Sequence, residues 1–413
     1  MIEFFTDPVL RAPTWGCLLM CLASSLMGVL IFLRKKSLLS ESLSHATYPG
    51  ACVGVALFGL LFPQYEEWTF LAVLGGAFFS SLLGLKAIQW LENRGKVSAD
   101  AALCFVLAVF FGLGIVISSG MQAQMPTWQR QTQMLLFGQA ATMNDMHIWI
   151  YGGLAFVVVL FLVLTFRPLQ SSLFDRDFSI SAKVPVQALE KILFWLLLLS
   201  LIVGIRSVGV VLMSGMVIAP AVAARGFTDR LQFVFFLAAF FGAASGLIGN
   251  YLSVVSNLPT GPMIVLVGTC FALLSLFLAP KRGLLFRMGR IWAFRLRCVE
   301  ENILKGMWKK GTFNQDRTIL IRISLWRLRL QGWIDRNCRL TEDGRQKAAS
   351  IVRLHRLWEL YLTEELGYHA EKVHRTAEEM EHIITSEMEA RLTSLLANPK
   401  HDPHQQPIPE KGL

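Results

Sequence analysis

The chain has 413 residues, 54% of them hydrophobic and 16% charged, with a formal net charge of +10 and a mean hydropathy of +0.50. That balance is too apolar for an ordinary soluble protein and predicts many membrane spans. Charge is unevenly placed: residues 1–280 hold 15 Lys and Arg against 12 Asp and Glu, residues 281–356 hold 19 against 6, and residues 357–413 hold 5 against 11. Six of the eight histidines fall between His355 and His404, so the chain reads as a membrane body, a basic module and an acidic, histidine-rich module. The seven cysteines form no CxxC pair and mostly sit in apolar runs, as small buried residues rather than a disulfide framework or zinc site.

The N-terminal MIEFFTDPVLRAPTW has no basic stretch and no small-residue cleavage site, which argues against a cleaved signal peptide. Spans of about 20 apolar residues are predicted at 15–33, 46–63, 68–91, 101–119, 148–166, 188–205, 208–223, 231–249 and 261–279. Arg34, Lys35 and Lys36 place the end of the first span in the cytoplasm. Alternation then puts 92–96, 167–183, 224–230 and 281–290 inside, and 63–67 and 250–261 outside. The stretch 188–223, broken by Gly204, Arg206 and Gly209, and the polar stretch 120–147 leave the count at about eight or nine. Everything after Pro280 is then cytoplasmic. Helices are predicted at 291–311 and over the basic stretch 317–334, ending at Gly332. RNCRLTEDGRQKA (336–348) reads as a short strand turning into a helix capped by Thr341. Helices at 342–366 and 370–396 follow, then a Pro-rich loop. This order is that of a winged helix-turn-helix.

Glu41 and His45 in SESLSHATYPG (40–50) are four residues apart and point the same way on a helix. Carboxylate and imidazole suit Mn, Zn and Fe, and ionisable groups within a span usually face a pathway. The spacing equally fits an interfacial helix start, with Ser40 or Glu41 as cap. Asp145 and His147, the other acid–His pair near the membrane, read as loop residues. SESLSHATYPGACVGV (40–55), VGVVLMSGMVIAPAVAARGFTDR (208–230) and LPTGPMIVLVG (258–268) together resemble the metal-ion ABC importer permeases of the zinc/manganese/iron class, over nearly all of 15–280. The resemblance implies that Glu41 and His45 line the metal path, with Glu where the family usually has Asp. It implies that the segment around Pro220, Ala224, Arg225 and Arg230 docks on an ATP-hydrolysing subunit. Pro220 is expected to end or kink its helix, and Ala221, Ala223, Ala224 and Gly226 to keep the docking surface small. Taken alone, the segment is a cytoplasmic loop obeying the positive-inside rule. No GxxxxGK phosphate loop occurs and no catalytic arrangement stands out, so the chain is expected not to be an enzyme and to rely on a separate ATP-binding subunit. The family also implies an extracytoplasmic metal-binding protein, a second permease copy or a sister permease, and the cell inner membrane.

In the tail, Arg317, Arg322, Arg327 and Arg329 alternate with Ile, Leu and Trp, a pattern that fits DNA phosphates or anionic lipid. The run from Leu340, with EEMEH (378–382) and PKHDPHQQPIP (399–409), resembles the metal-dependent repressors of the diphtheria-toxin-repressor and manganese-regulator class, over roughly 298–410. The resemblance implies a regulatory metal held by His355, Glu378, Glu381 and His382, with Glu301 from the first helix; the family's second ligand there falls near Leu304, which cannot ligate. His369 and His374 are expected at the surface. Similar permease–repressor fusions occur in chlamydia-like bacteria. The expected fold is an all-α polytopic membrane protein followed by a cytoplasmic winged helix-turn-helix and a helical metal-binding and dimerisation domain. Its divisions are 1–280 (permease), 281–297 (basic linker), 298–350 (DNA-binding) and 351–413 (metal-binding). The expected function is import of a divalent transition metal (Fe, Mn or Zn) that also acts as co-repressor for operator DNA, after cleavage within 281–300. The alternative is a tail that senses metal and gates transport without DNA.

Overall fold

Apolar runs long enough to cross a bilayer become helices, because a helix satisfies its backbone N–H and C=O groups within the run. A computed structural model describes residues 3–61, 69–138, 140, 143–280, 283–311, 318–369, 373–374, 377–378 and 380–410. Two compact units emerge, Met1–Phe286 and Arg287–Leu413. The first contains α1 (Arg11–Leu33), α2 (Ser37–Leu61), α3 (Thr69–Asn93), α4 (Ala99–Gln124), α5 (Pro126–Phe137), α6 (Asp145–Leu164), α7 (Val186–Val208), α8 (Met213–Phe227), α9 (Leu231–Ser256) and α10 (Thr260–Leu278), together with shorter helical pieces. Among the described residues, eight helices are long and apolar enough to span a membrane; α8 is apolar but has only 15 residues.

Each predicted span overlaps one helix, with two corrections. The helix expected from 46 begins at Ser37, so SESLSHATYPG lies wholly inside α2. The expected breaks at Gly204 and Arg206 do not form; α7 runs through both and ends at Gly209, whose φ of +91° suits glycine. The predicted span 208–223 is α8.

The buried centre of this unit is α1. Its Met20, Cys21, Met27 and Leu30 share one core with Tyr151 of α6, Leu197 and Leu201 of α7, Met213, Met216 and Val217 of α8, and Ala238 of α9. α2 packs against α3 and α4. A side chain at Gly50 would overlap the Gly76 carbonyl, and one at Gly76 the Gly50 carbonyl, so this crossing needs small residues to bring two backbones together.

The second unit uses α11 (Leu284–Lys310), α12 (Ile319–Leu330), α13 (Glu342–Glu364) and α14 (Ser386–Leu395). Ile303, Leu304 and Met307 of α11 pack with Leu328, Ile334, Ala348 and Ile351. Among the described residues the expected strand is reduced to one antiparallel bridge, Ile334 to Leu340. Between them Asp335 closes a tight turn, its carboxylate accepting the backbone N–H groups of Asn337 and Arg339 at 2.8 Å each. The Thr341 hydroxyl caps α13, accepting from the Gly344 N–H at 3.1 Å. The helix expected over 370–396 is not continuous: a turn at Glu381–Ile383 interrupts it and α14 starts at Ser386. Nor does the Pro-rich end lie free. Ile408 packs with Leu357, Leu360 and Leu396, and Arg356 pairs with Asp402 at 3.4 Å.

Candidate metal centres

The polar stretch of α2 is buried, which is costly unless each group finds a partner. The hydroxyls do. Ser42 donates to the Leu103 carbonyl of α4 at 2.9 Å, Ser44 to the Val210 carbonyl at 2.7 Å, and Thr47 to the Ser44 carbonyl at 2.5 Å. His45 is the exception. Its side chain is buried, Phe111 of α4 meets it edge-on at 4.7 Å, and its Nδ1 has no hydrogen-bond partner. Glu41 lies one turn away, partly exposed. The hydroxyls thus join α2 to its neighbours and leave an imidazole nitrogen for something else. Asp145 and His147 are not loop residues: Asp145 opens α6 and pairs with Arg11, and His147 joins the Asn144 capping box of that helix.

The Pro220 segment differs from expectation. Pro220 lies inside α8, which continues to Phe227, and Pro220, Ala221, Ala223 and Ala224 are all buried. Their small side chains serve packing against the rest of the unit rather than an open docking surface; Ser275 of α10 donates to the Ala223 carbonyl at 2.7 Å. The accessible part is the helix end. Arg225 reaches the Thr228 carbonyl at 3.2 Å and Asp229 at 2.8 Å, and Arg230 is exposed.

On α12, Arg322 and Arg329 are exposed, whereas Arg327 turns back to the buried Glu300 at 3.1 Å. Arg329 also braces the turn after the helix, donating to Cys338 Sγ at 3.0 Å. Arg317 lies outside the described residues. Ile319, Ile323, Trp326 and Leu330 are exposed on the same helix.

The richest cluster is in the second unit. His355 of α13 lies at its centre, with each ring nitrogen facing a different set. Nε2 stands 3.1 Å from Glu359 Oε1 and 3.1 Å from His374 Nδ1, and those two atoms are 2.7 Å apart. Ligands about 2.1 Å from one ion lie about 3.0–3.4 Å apart, so this trio is close to the spacing a single ion imposes. Burial opposes charge on both His355 and Glu359. Their mutual hydrogen bond, with Glu381 helping His355 and His374 helping Glu359, outweighs it. The His355 proton affinity is raised, and Glu359 is pulled down to about 2. On the other side, His355 Nδ1 lies 2.5 Å from Glu381 Oε2. Glu381 also accepts from Lys305 of α11 through both oxygens at 3.0 Å. His382 Nδ1 pairs with Glu301 Oε2 at 2.5 Å, and Glu378 is half-exposed, 3.6 Å from both Lys305 and His374.

The five residues predicted around one ion are thus divided. His355 is shared, Glu381 and Glu378 face a lysine, and Glu301 and His382 pair with each other. Two members of the trio, Glu359 and His374, escaped the sequence analysis as ligands; His374 is exposed, as expected, yet its ring reaches both Glu359 and His355. Glu359 was findable: it follows His355 by one helical turn. Leu304, where a ligand was expected, is wholly buried in the core.

Comparison with known proteins covers both units. Residues 6–279 match the model of the ABC 3 transport family, and residues 341–410 match that of the iron dependent repressor, metal binding and dimerisation domain. A Chlamydia pneumoniae protein described as a "probable metal transport system membrane protein" is 34% identical, over 98% of this chain and 98% of its own. The zinc transport system membrane protein TroC of Treponema pallidum is 35% identical, over 70% of this chain and 95% of its own. A solved structure, PsaBC from Streptococcus pneumoniae in complex with Fab, superposes with a TM-score of 0.58 at 26% identity, covering 68% of this chain and 98% of that one.

Proposed function

The chain belongs to the ABC 3 transport family and carries an iron-dependent-repressor metal-binding and dimerisation domain, and from that premise we propose that it imports a divalent transition metal of the Mn, Zn and Fe group and reports the ion's arrival through its own tail. The permease lies in the inner membrane with the tail in the cytoplasm. A separate ATP-binding subunit docks at the end of α8, where Arg225 and Arg230 are accessible, and an extracytoplasmic metal-binding protein delivers the ion. Relatives named for manganese and zinc transport support this cargo class. One observation carries the path: His45 is buried in α2 with Nδ1 unpartnered, one turn from Glu41, while the surrounding hydroxyls are satisfied. Carboxylate and imidazole would exchange an ion's water for protein ligands as it crosses.

In the tail, the trio His355, Glu359 and His374 would hold the regulatory ion; two imidazoles and a carboxylate lie within hydrogen-bond distance of one another, at a spacing one ion could take over from their protons. Bound metal would align paired copies so that the exposed Arg322 and Arg329 meet operator phosphates. The test of the path is uptake of radiolabelled Mn, Zn and Fe by cells carrying the chain with its partners. Glu41→Ala and His45→Ala are each expected to reduce uptake of the cargo ion at least tenfold. If neither change lowers uptake of any of the three, the path assignment is wrong.

A further inference from the structure

Lys305 has no place in a plain metal site, yet it stands in the middle of the one the sequence suggested. Its side chain is 7% exposed. The Nζ atom lies 3.0 Å from each carboxylate oxygen of Glu381, 3.6 Å from Glu378 and 3.3 Å from His355 Nδ1. Glu301, one turn earlier on α11, takes up His382 at 2.5 Å. The same helix thus supplies a cation for one buried carboxylate and a carboxylate for one buried histidine. A divalent ion ligated by Glu381 would need to approach its oxygens to about 2.1 Å. The ammonium already covers both oxygens, and two cations cannot share that space without strong repulsion.

The arrangement also assigns a role to Glu381. His355 Nδ1 cannot both accept from Lys305 and donate to Glu381. At 2.5 Å the carboxylate is the closer partner, and Lys305 is already committed to both carboxylate oxygens. A proton on Nδ1 leaves the lone pair on Nε2, which faces Glu359 and His374. Metal-ligating histidines commonly donate their other N–H to a carboxylate in this way.

We propose that Lys305 is a resident cation that takes the place of a second metal ion, so that each tail binds one regulatory ion, at His355, Glu359 and His374, with Glu381 orienting His355 rather than ligating. This rests on the reading of the tail as a metal sensor. The test counts Mn(II) bound per full-length chain in detergent by equilibrium dialysis. His374→Ala is expected to lose one equivalent relative to wild type, and His382→Ala none. Lys305→Ala is expected to gain one, and Lys305→Ala combined with His382→Ala to lose that gain. Loss of one equivalent in both single histidine variants overturns the inference alone. So does a Lys305→Ala chain that binds no more than wild type. A count that His374→Ala leaves unchanged while His382→Ala lowers it overturns the inference alone, and a count that neither change lowers overturns the sensor reading and the inference with it. Should Lys305→Ala fail to fold, the His382→Ala count decides the question.

Discussion

His355 is where protons and metal compete. Its raised proton affinity stabilises the metal-free protein below the ordinary imidazole value of 6.5, and that contribution is lost as pH rises through the folded value. The depressed Glu359 acts in the opposite sense: its contribution is present above the ordinary 4.5 and is lost as pH falls toward about 2. The metal-free cluster is therefore tightest between those two ordinary values. A metal ion requires the neutral ring. Mn(II) affinity should climb about tenfold per pH unit on the acid side of the His355 titration and level off above it. Titration calorimetry of the full chain across that range checks this, and a flat profile would remove His355 from the ligand set. Legibility at this scale followed charge density. EEMEH is conspicuous because it is crowded, whereas the trio depends on His374, which the non-helical residues 365–369 separate from α13, so no helical periodicity relates it to His355. Lys305 was invisible for another reason: a lysine does not advertise a metal site, and only the fold brings α11 against Glu381.

Hydropathy read the long helices because burial in lipid leaves few alternatives. It read the α2 start poorly because serine hydroxyls look exposed in sequence and are satisfied internally in the fold. The most consequential element is the short α8. At about 1.5 Å per residue its 15 residues reach about 22 Å, less than a typical hydrocarbon core of about 30 Å. Eight crossings would leave both chain ends on one side. A ninth, through α8, puts Arg34–Lys36, Arg94–Lys96 and Arg225–Arg230 all on the cytoplasmic face. α8 can be short because α1, α9 and α10 pack around it and its Met213, Met216 and Val217 lie in the core, so protein rather than lipid surrounds most of it. In a chain stripped of native cysteines, Asn257→Cys should react with an impermeant maleimide added outside, and Asp229→Cys only after permeabilisation. Labelling of Asp229→Cys from outside would mean that α8 does not cross.

At the scale of the molecule, the puzzle is a repressor-like metal-binding and dimerisation domain on a membrane protein. A tethered repressor searches only the DNA that reaches the membrane, so we propose that operator control uses a released tail. The segment expected to be cut, 281–300, is helical from Leu284 onward, within α11. Proteases act on extended chain, so cleavage there requires local unfolding of that stretch. Its residues from Leu284 to Phe294 are exposed and carry no share of the tail core, which begins with Val299 and Ile303, so opening this stretch leaves the tail's packing intact. An antibody to the tail should therefore detect a soluble fragment beside the full-length protein. That fragment should shift the promoter of its own operon only when metal is present. Arg322→Ala should weaken the complex at all sequences alike and lower the slope of log affinity against log salt by about 1, as expected for one lost phosphate contact. Only full-length, membrane-bound protein under every metal condition would rule out release. Binding that ignores sequence and metal while falling steeply with salt would leave the basic face of α12 as a surface for anionic lipid instead.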